Sequence, residues 1–151
     1  MQDSSSDSSR DPSMTKGPIL FVCVENAGRS QMAEAFAKKH GLNAQSAGTI
    51  PSTKINPTVV EVMRERGIDI SSNHPKPLTT DLIQNAALVV TMGCSIEDAC
   101  PKPLIAQMQK KLVEWHLEDP KGRPLGDVKR IRDEIERKIM ELPNTANDRA
   151  Q

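Results

Sequence analysis

Cys23 is followed after five residues by Arg29-Ser30, a C-x₅-R-S spacing that puts a nucleophile, a guanidinium and a hydroxyl on one loop. The loop leaves the apolar run Ile19-Leu-Phe-Val-Cys-Val24 and enters a helical stretch. A loop opening a helix aims backbone N–H groups inward, and the helix dipole adds positive potential. The N–H groups of Val24, Glu25, Asn26, Ala27, Gly28 and Arg29 are therefore candidate donors to a tetrahedral oxyanion. The Arg29 guanidinium can clamp two of its oxygens at once. The same field favours a thiolate at Cys23, and Ser30 offers the sulfur a further hydrogen bond. Gly28 lets the backbone turn without a Cβ, and Asn26 is either a left-handed turn residue or a side chain that holds the loop's shape.

Two more places carry chemistry. Asp119-Pro120 follows the apolar segment Lys111–Leu117. A carboxyl there can protonate a departing oxygen, and Asp-Pro before Lys-Gly is also good turn chemistry. Glu118 and Asp127 are weaker rivals for the acid. Cys94 and Cys100 come immediately after the apolar segment Ala87–Thr91. With His40, His74 and His116 isolated, no zinc-like spacing forms and no metal is expected. Three cysteines cannot pair fully, which points to cytosolic thiols and a cytoplasmic protein.

The elements that must position these residues alternate along the chain. Ile19–Val24 reads as a strand buried on both faces, and Ser30–His40 as a helix stopped by Gly41. A short strand is expected at Ala44–Ala47. Asn56-Pro57 starts a helix that Gly67 closes. A short helix at Thr80–Ala86, strands at Ala87–Thr91 and Lys111–Leu117, and a last helix at Asp127–Leu142 complete the pattern. This β-α-β-α order implies a Rossmann-like, three-layer α/β/α fold around a central four-stranded parallel sheet. Ligands of such sheets sit beyond the carboxyl ends of the strands, which is where Cys23, Cys94, Cys100 and Asp119 fall.

Composition sets the limits. The 151 residues hold 20 Lys+Arg and 20 Asp+Glu, so no global electrostatic footprint for nucleic acid exists. The polar ends, residues 1–17 and 143–151, are expected to be disordered tails, with Met14 an alternative start. Between them the apolar share rises to about 40%, enough for one core. The first apolar run is too short to span a bilayer, and no signal peptide is visible. There are two Phe, one Trp and no Tyr.

The segment Phe21-Val-Cys-Val-Glu-Asn-Ala-Gly-Arg-Ser-Gln-Met-Ala-Glu-Ala-Phe36 resembles the phosphate-binding loop and first helix of the low-molecular-weight tyrosine phosphatase superfamily. Its Arg-Ser-Gln-Met-Ala-Glu wording is similar to the arsenate reductases built on that fold. The resemblance extends through Ser46-Ala-Gly48, Gly67-Ile-Asp-Ile-Ser71, Val89-Val-Thr-Met92 and Trp115-His-Leu-Glu-Asp-Pro120, covering about residues 18–142. It implies a phosphatase-like domain with Cys23 as nucleophile, Arg29 and the loop as oxyanion site, Ser30 supporting the thiolate, Asn26 shaping the loop and Asp119 as acid. Arsenate has the shape and charge of phosphate, but a second thiol attacking the bound As(V) yields arsenite and a disulfide. Cys94 and Cys100 are the candidate resolving thiols.

The family's three-cysteine reductases place the second cysteine directly after the strand, seven positions before the third. Here Gly93 holds that position, and Cys94 stands six residues before Cys100. A Cys94-then-Cys100 relay and a direct Cys94–Cys23 pair both remain open, as does the external reductant, thioredoxin or a glutaredoxin or low-molecular-weight thiol. No bound cofactor is implied, and a monomer is expected. A phosphotyrosine ring needs aromatic or apolar walls, and Trp115, the one candidate, reads as core. A phosphatase of small or protein phosphoesters, or an oxyanion- or arsenite-binding protein without turnover, are the alternatives.

Overall fold

The computed structural model describes residues 17–92 and 111–142. Apart from Gly17 the two polar ends lie outside them, and so do Cys94 and Cys100. Strand β1 (Ile19–Cys23) is buried along its whole length, as a strand flanked on both edges and covered on both faces must be. It pairs in parallel with β2 (Ala44–Gly48) on one edge and β3 (Leu88–Met92) on the other. The edge strand β4 (Leu112–Trp115) pairs in parallel with β3, giving the order β2-β1-β3-β4. All four carboxyl ends therefore open on one side of the sheet.

Alternation along β1 divides the core between the two faces. Ile19, Phe21 and Cys23 meet Met32 and Phe36 of helix α1 (Arg29–Lys39), Val59 and Met63 of α2 (Pro57–Glu65), and Val128, Ile131, Ile135 and Ile139 of α4 (Leu125–Glu141). Leu20 and Val22 turn the other way, with Ala47 and Val89, towards Ile83 of α3 (Thr80–Asn85). Helices on both faces make the three expected layers. Trp115 lies in the first core cluster, its ring 5.9 Å from that of Phe21.

Local chemistry fixes the ends. The Asn56 side chain accepts from Thr58 N at 2.9 Å with Pro57 in the first turn of α2. Gly41, at φ 86°, ends α1, and Leu42 N donates back to Ala37 O at 2.9 Å. Helix α4 starts at Leu125 rather than at the expected Asp127, because Pro124 sets the extended cap (φ −60°, ψ 155°). Strand β4 is shorter than the expected Lys111–Leu117, and the chain leaves the sheet at Trp115 towards Asp119.

Candidate active site

Cys23 is the last residue of β1, and in the loop from it to Arg29 the carbonyls of Cys23, Val24, Glu25 and Ala27 turn towards one neighbouring segment. Thr49, Ile50, Ser52 and Asn56 donate their N–H groups to the carbonyls of Cys23, Val24, Glu25 and Ala27 at 3.2, 2.8, 2.9 and 2.9 Å. A peptide's N–H points opposite to its C=O, so the N–H groups of Val24, Glu25, Asn26 and Gly28 face away from that neighbouring loop. Close approach requires Gly48 at the end of β2: a Cβ there would lie 2.6 Å from Val24 O and 2.9 Å from Asn26 N. Gly28 is needed for a different reason than a left-handed turn. Its φ is −141°, and a Cβ would press on Pro120 Cγ at 3.0 Å.

Behind the sulfur lies a buried polar network. Cys23 Sγ and Ser30 Oγ are 2.9 Å apart, and Asn26 N donates to Sγ at 3.3 Å. Asn26, fully buried at φ 53°, donates through Nδ2 to Ser30 Oγ at 2.7 Å. Its Oδ1 accepts from Gln31 Nε2 at 3.0 Å and from Lys76 N at 2.8 Å. Both readings of Asn26 therefore hold: it takes the left-handed turn and its side chain holds the loop's shape. The network continues from Gln31 to the His74 carbonyl and Asn73, and from Lys76 to Ser46 and Glu34.

Arg29 opens α1, whose amino end has no side-chain cap, so its first N–H groups remain available. The guanidinium is held by Leu117 O, which accepts from Nη1 at 3.1 Å, and by Asp119 Oδ2, 3.8 Å from Nη2. Asp119 itself accepts from Lys121 N at 3.0 Å, an Asx turn, so the turn chemistry and the carboxyl at the site coexist. The rivals stand elsewhere: Glu118 pairs with Arg123 and Arg130, and Asp127 with the same two arginines.

A cavity of about 470 Å³ opens above the loop, lined by Cys23, Arg29 and Asp119 among others. Val24, Glu25, Ala27 and Gly28 also face it, whereas Asn26 and Ser30 sit behind the sulfur. Among the described residues no aromatic side chain lines it. The structure thus brings together every predicted site residue within the described part. Sequence reading missed Gln31, Asn73 and Lys76, the residues 52–56 that form the far wall, and the pairing of Lys121 with Glu25 at 3.0 Å. That pairing raises the Lys121 ammonium above its usual range, through the hydrogen bond and charge of Glu25. Gln31 had a visible signal, an uncharged polar residue in a buried first turn; Lys76 and Asn73 sit in a loop with none. Among the described residues no group of three His, Cys, Asp or Glu is placed to hold a metal ion, and no helix is long and apolar enough to cross a membrane.

Residues 18–151 match the low molecular weight phosphotyrosine protein phosphatase family. The chain is 40% identical over 125 residues to the arsenate reductase of Staphylococcus aureus strain Newman, covering 81% of this chain and 92% of that protein. Among solved structures it is similar to the YwlE arginine phosphatase from Geobacillus stearothermophilus, with a TM-score of 0.75, 25% identity, and coverage of 86% of this chain and 92% of the other. It is also similar to a thioredoxin-dependent arsenate reductase from Corynebacterium glutamicum, with a TM-score of 0.69, 37% identity, and coverage of 88% of this chain and 63% of the other.

Proposed function

The chain belongs to the low molecular weight phosphotyrosine protein phosphatase family, and we propose that its reaction within that family is the reduction of arsenate to arsenite. The observation that carries this reading is an oxyanion cradle floored by Cys23 with no aromatic wall among the described residues, in a chain with two further thiols just beyond β3. A tetrahedral oxyanion needs hydrogen-bond donors and no stacking surface; a phosphotyrosine ring needs one.

Arsenate binds with its oxygens on the loop N–H groups and the Arg29 guanidinium. The Cys23 thiolate, supported by Ser30 and Asn26 N, attacks arsenic and forms an S–As bond. The departing oxygen leaves as water with a proton from Asp119. A second thiol, Cys94 in the relay favoured by its place after β3, then attacks Cys23 sulfur. The S–As electron pair stays on arsenic, which leaves as arsenite, while the two sulfurs are oxidised to a disulfide. Cys100 attacks Cys94 in turn and frees Cys23. An external thiol reductant resets the enzyme, and likeness to a thioredoxin-dependent reductase favours thioredoxin over a glutaredoxin or low-molecular-weight thiol. In a parallel sheet ordered β2-β1-β3-β4, the segment leaving β3 starts beside Cys23, which supports this relay.

Phosphoester hydrolysis is the second reading. The cavity exceeds what one oxyanion fills, and an arginine phosphatase shares the fold. The deciding experiment is a free-thiol count by intact-mass spectrometry after alkylation. The reduced protein is incubated anaerobically with arsenate, or with phosphate as control, without external reductant. Loss of two thiols with arsenate alone, together with released arsenite, is expected, and peptide mapping names the pair. Three free thiols under both conditions would hand the site to the phosphatase reading.

A further inference from the structure

Glu25 is an unusual residue to find on a loop that must bind an anion. Glu25 lines the same cavity as Cys23 and Arg29, and its negative charge opposes an incoming oxyanion. Lys121 answers it: Nζ lies 3.0 Å from Glu25 Oε2, joining residues 96 positions apart. Lys121 is also the residue whose N–H holds Asp119 Oδ1 at 3.0 Å. One residue therefore touches the proposed acid through its backbone and the oxyanion loop through its side chain. Little else fixes the acid's side chain. Asp119 is 60% exposed and its other oxygen stands 3.8 Å from Arg29. Gly122, at φ 75°, turns the chain directly after Lys121, and Pro120 is seated against Gly28.

We propose that Lys121 is a positioning residue: its ion pair with Glu25 straps the acid loop to the oxyanion loop, setting where Asp119 stands and masking a carboxylate that would otherwise repel the substrate. The proposal rests on the arsenate reductase reading for its rate consequences and not for its binding consequences. Both partners are solvent-exposed, so the effect is modest, about two- to fivefold, as for other exposed pairs, and it shrinks as salt screens the pair.

The test is a double-mutant cycle read in two ways. Inorganic phosphate is titrated calorimetrically at low ionic strength into the wild type, Lys121→Ala, Glu25→Ala and the double variant. Lys121→Ala is expected to weaken binding two- to fivefold, because it unmasks Glu25. Glu25→Ala binds no more weakly than the wild type, and the double variant matches Glu25→Ala. Single-turnover loss of thiols with arsenate supplies the rate. Both single variants should slow it by a similar factor, the double variant no further, and Lys121→Arg should restore it. In an Asp119→Asn background neither substitution should slow it again.

A double variant binding as weakly as Lys121→Ala overturns the masking, since Lys121 would then act on the anion itself. Equal slowing by Lys121→Ala with and without the Asp119 carboxyl overturns the strap. If the wild type reduces no arsenate, the functional reading fails by itself. The strap is then judged on the phosphate cycle and on the same variants' hydrolysis of p-nitrophenyl phosphate.

Discussion

The two halves of the site are held by different physics. The oxyanion loop rests on uncharged hydrogen bonds buried from water, running from Cys23 through Ser30, Asn26 and Gln31, with Asn26, Ser30 and Gln31 at 0% exposure. The acid loop rests on backbone turns and exposed ion pairs, from Lys121–Glu25 through Glu118, Arg123, Asp127 and Arg130. Buried bonds are expensive to leave unmade and so define one geometry; exposed pairs are weak and easily rearranged. The proposed oxyanion cradle is thus built before substrate arrives, while the proposed proton donor is held more loosely. Preorganisation matters most where charge is stabilised.

The comparison breaks first at the sulfur. Cys23→Ser is expected to abolish arsenite formation, measured as product after prolonged incubation with reductant, because no other described cysteine is present at the cradle. Asp119→Asn is expected to slow the first step about a hundredfold or more, followed as single-turnover thiol loss. Its thermal midpoint should stay within a degree or so of the wild type, since the carboxyl is exposed. Wild-type rate in that variant would remove Asp119 from the acid role. Asn26→Ala sharpens the contrast by failing in both respects. It strands Lys76 N, removes one acceptor of Gln31 Nε2 and the donor to Ser30 Oγ, and puts a Cβ-bearing residue without a polar side chain at φ 53°. The expected loss is about 2–4 kcal/mol of stability, read by urea unfolding, together with weaker phosphate binding.

What could be read from sequence divides along the same line. Cys23, Arg29 and Ser30 were legible because their spacing is dictated by a strand-to-helix turn, a local constraint on neighbouring residues. Asp119 was legible because the carboxyl edge of a parallel sheet collects whatever follows its strands. The strands and helices followed from hydrophobic period and the parallel sheet from their alternation, whereas the order β2-β1-β3-β4 is set by three-dimensional pairing. The Lys76–Asn26 bond and the Glu25–Lys121 pair join residues 50 and 96 positions apart. Such pairings depend on three-dimensional register, and a lysine in a loop looks the same whether it is solvated or paired. Helix α4 begins two residues before the expected Asp127, because Pro124 sets its cap through backbone geometry, which no capping side chain announces.

The smallest expected effect lies at a separate set of ion pairs, away from the site. Glu65, at the end of α2, pairs with Lys129 at 2.8 Å and Arg132 at 2.9 Å across the seam with α4. Hydrogen bonds from Lys129 first, then Arg132, hold its carboxyl below the usual glutamate range. The unfolded chain, with an ordinary pKa of about 4.3, therefore takes up this proton before the folded chain does as pH falls. The pair's contribution to stability is whole above that value and drains away below it, as pH descends through the lower folded value. Glu65→Gln is expected to lower the thermal midpoint slightly at pH 7, with the difference closing below about pH 4 and narrowing in high salt. Asn26→Ala should behave oppositely, its deficit persisting across the same pH range and in the same salt, since no charge takes part in the bonds it removes. A Glu65→Gln deficit that ignored both acid and salt would mean this seam is held by packing, and that exposed charge governs only the acid loop itself.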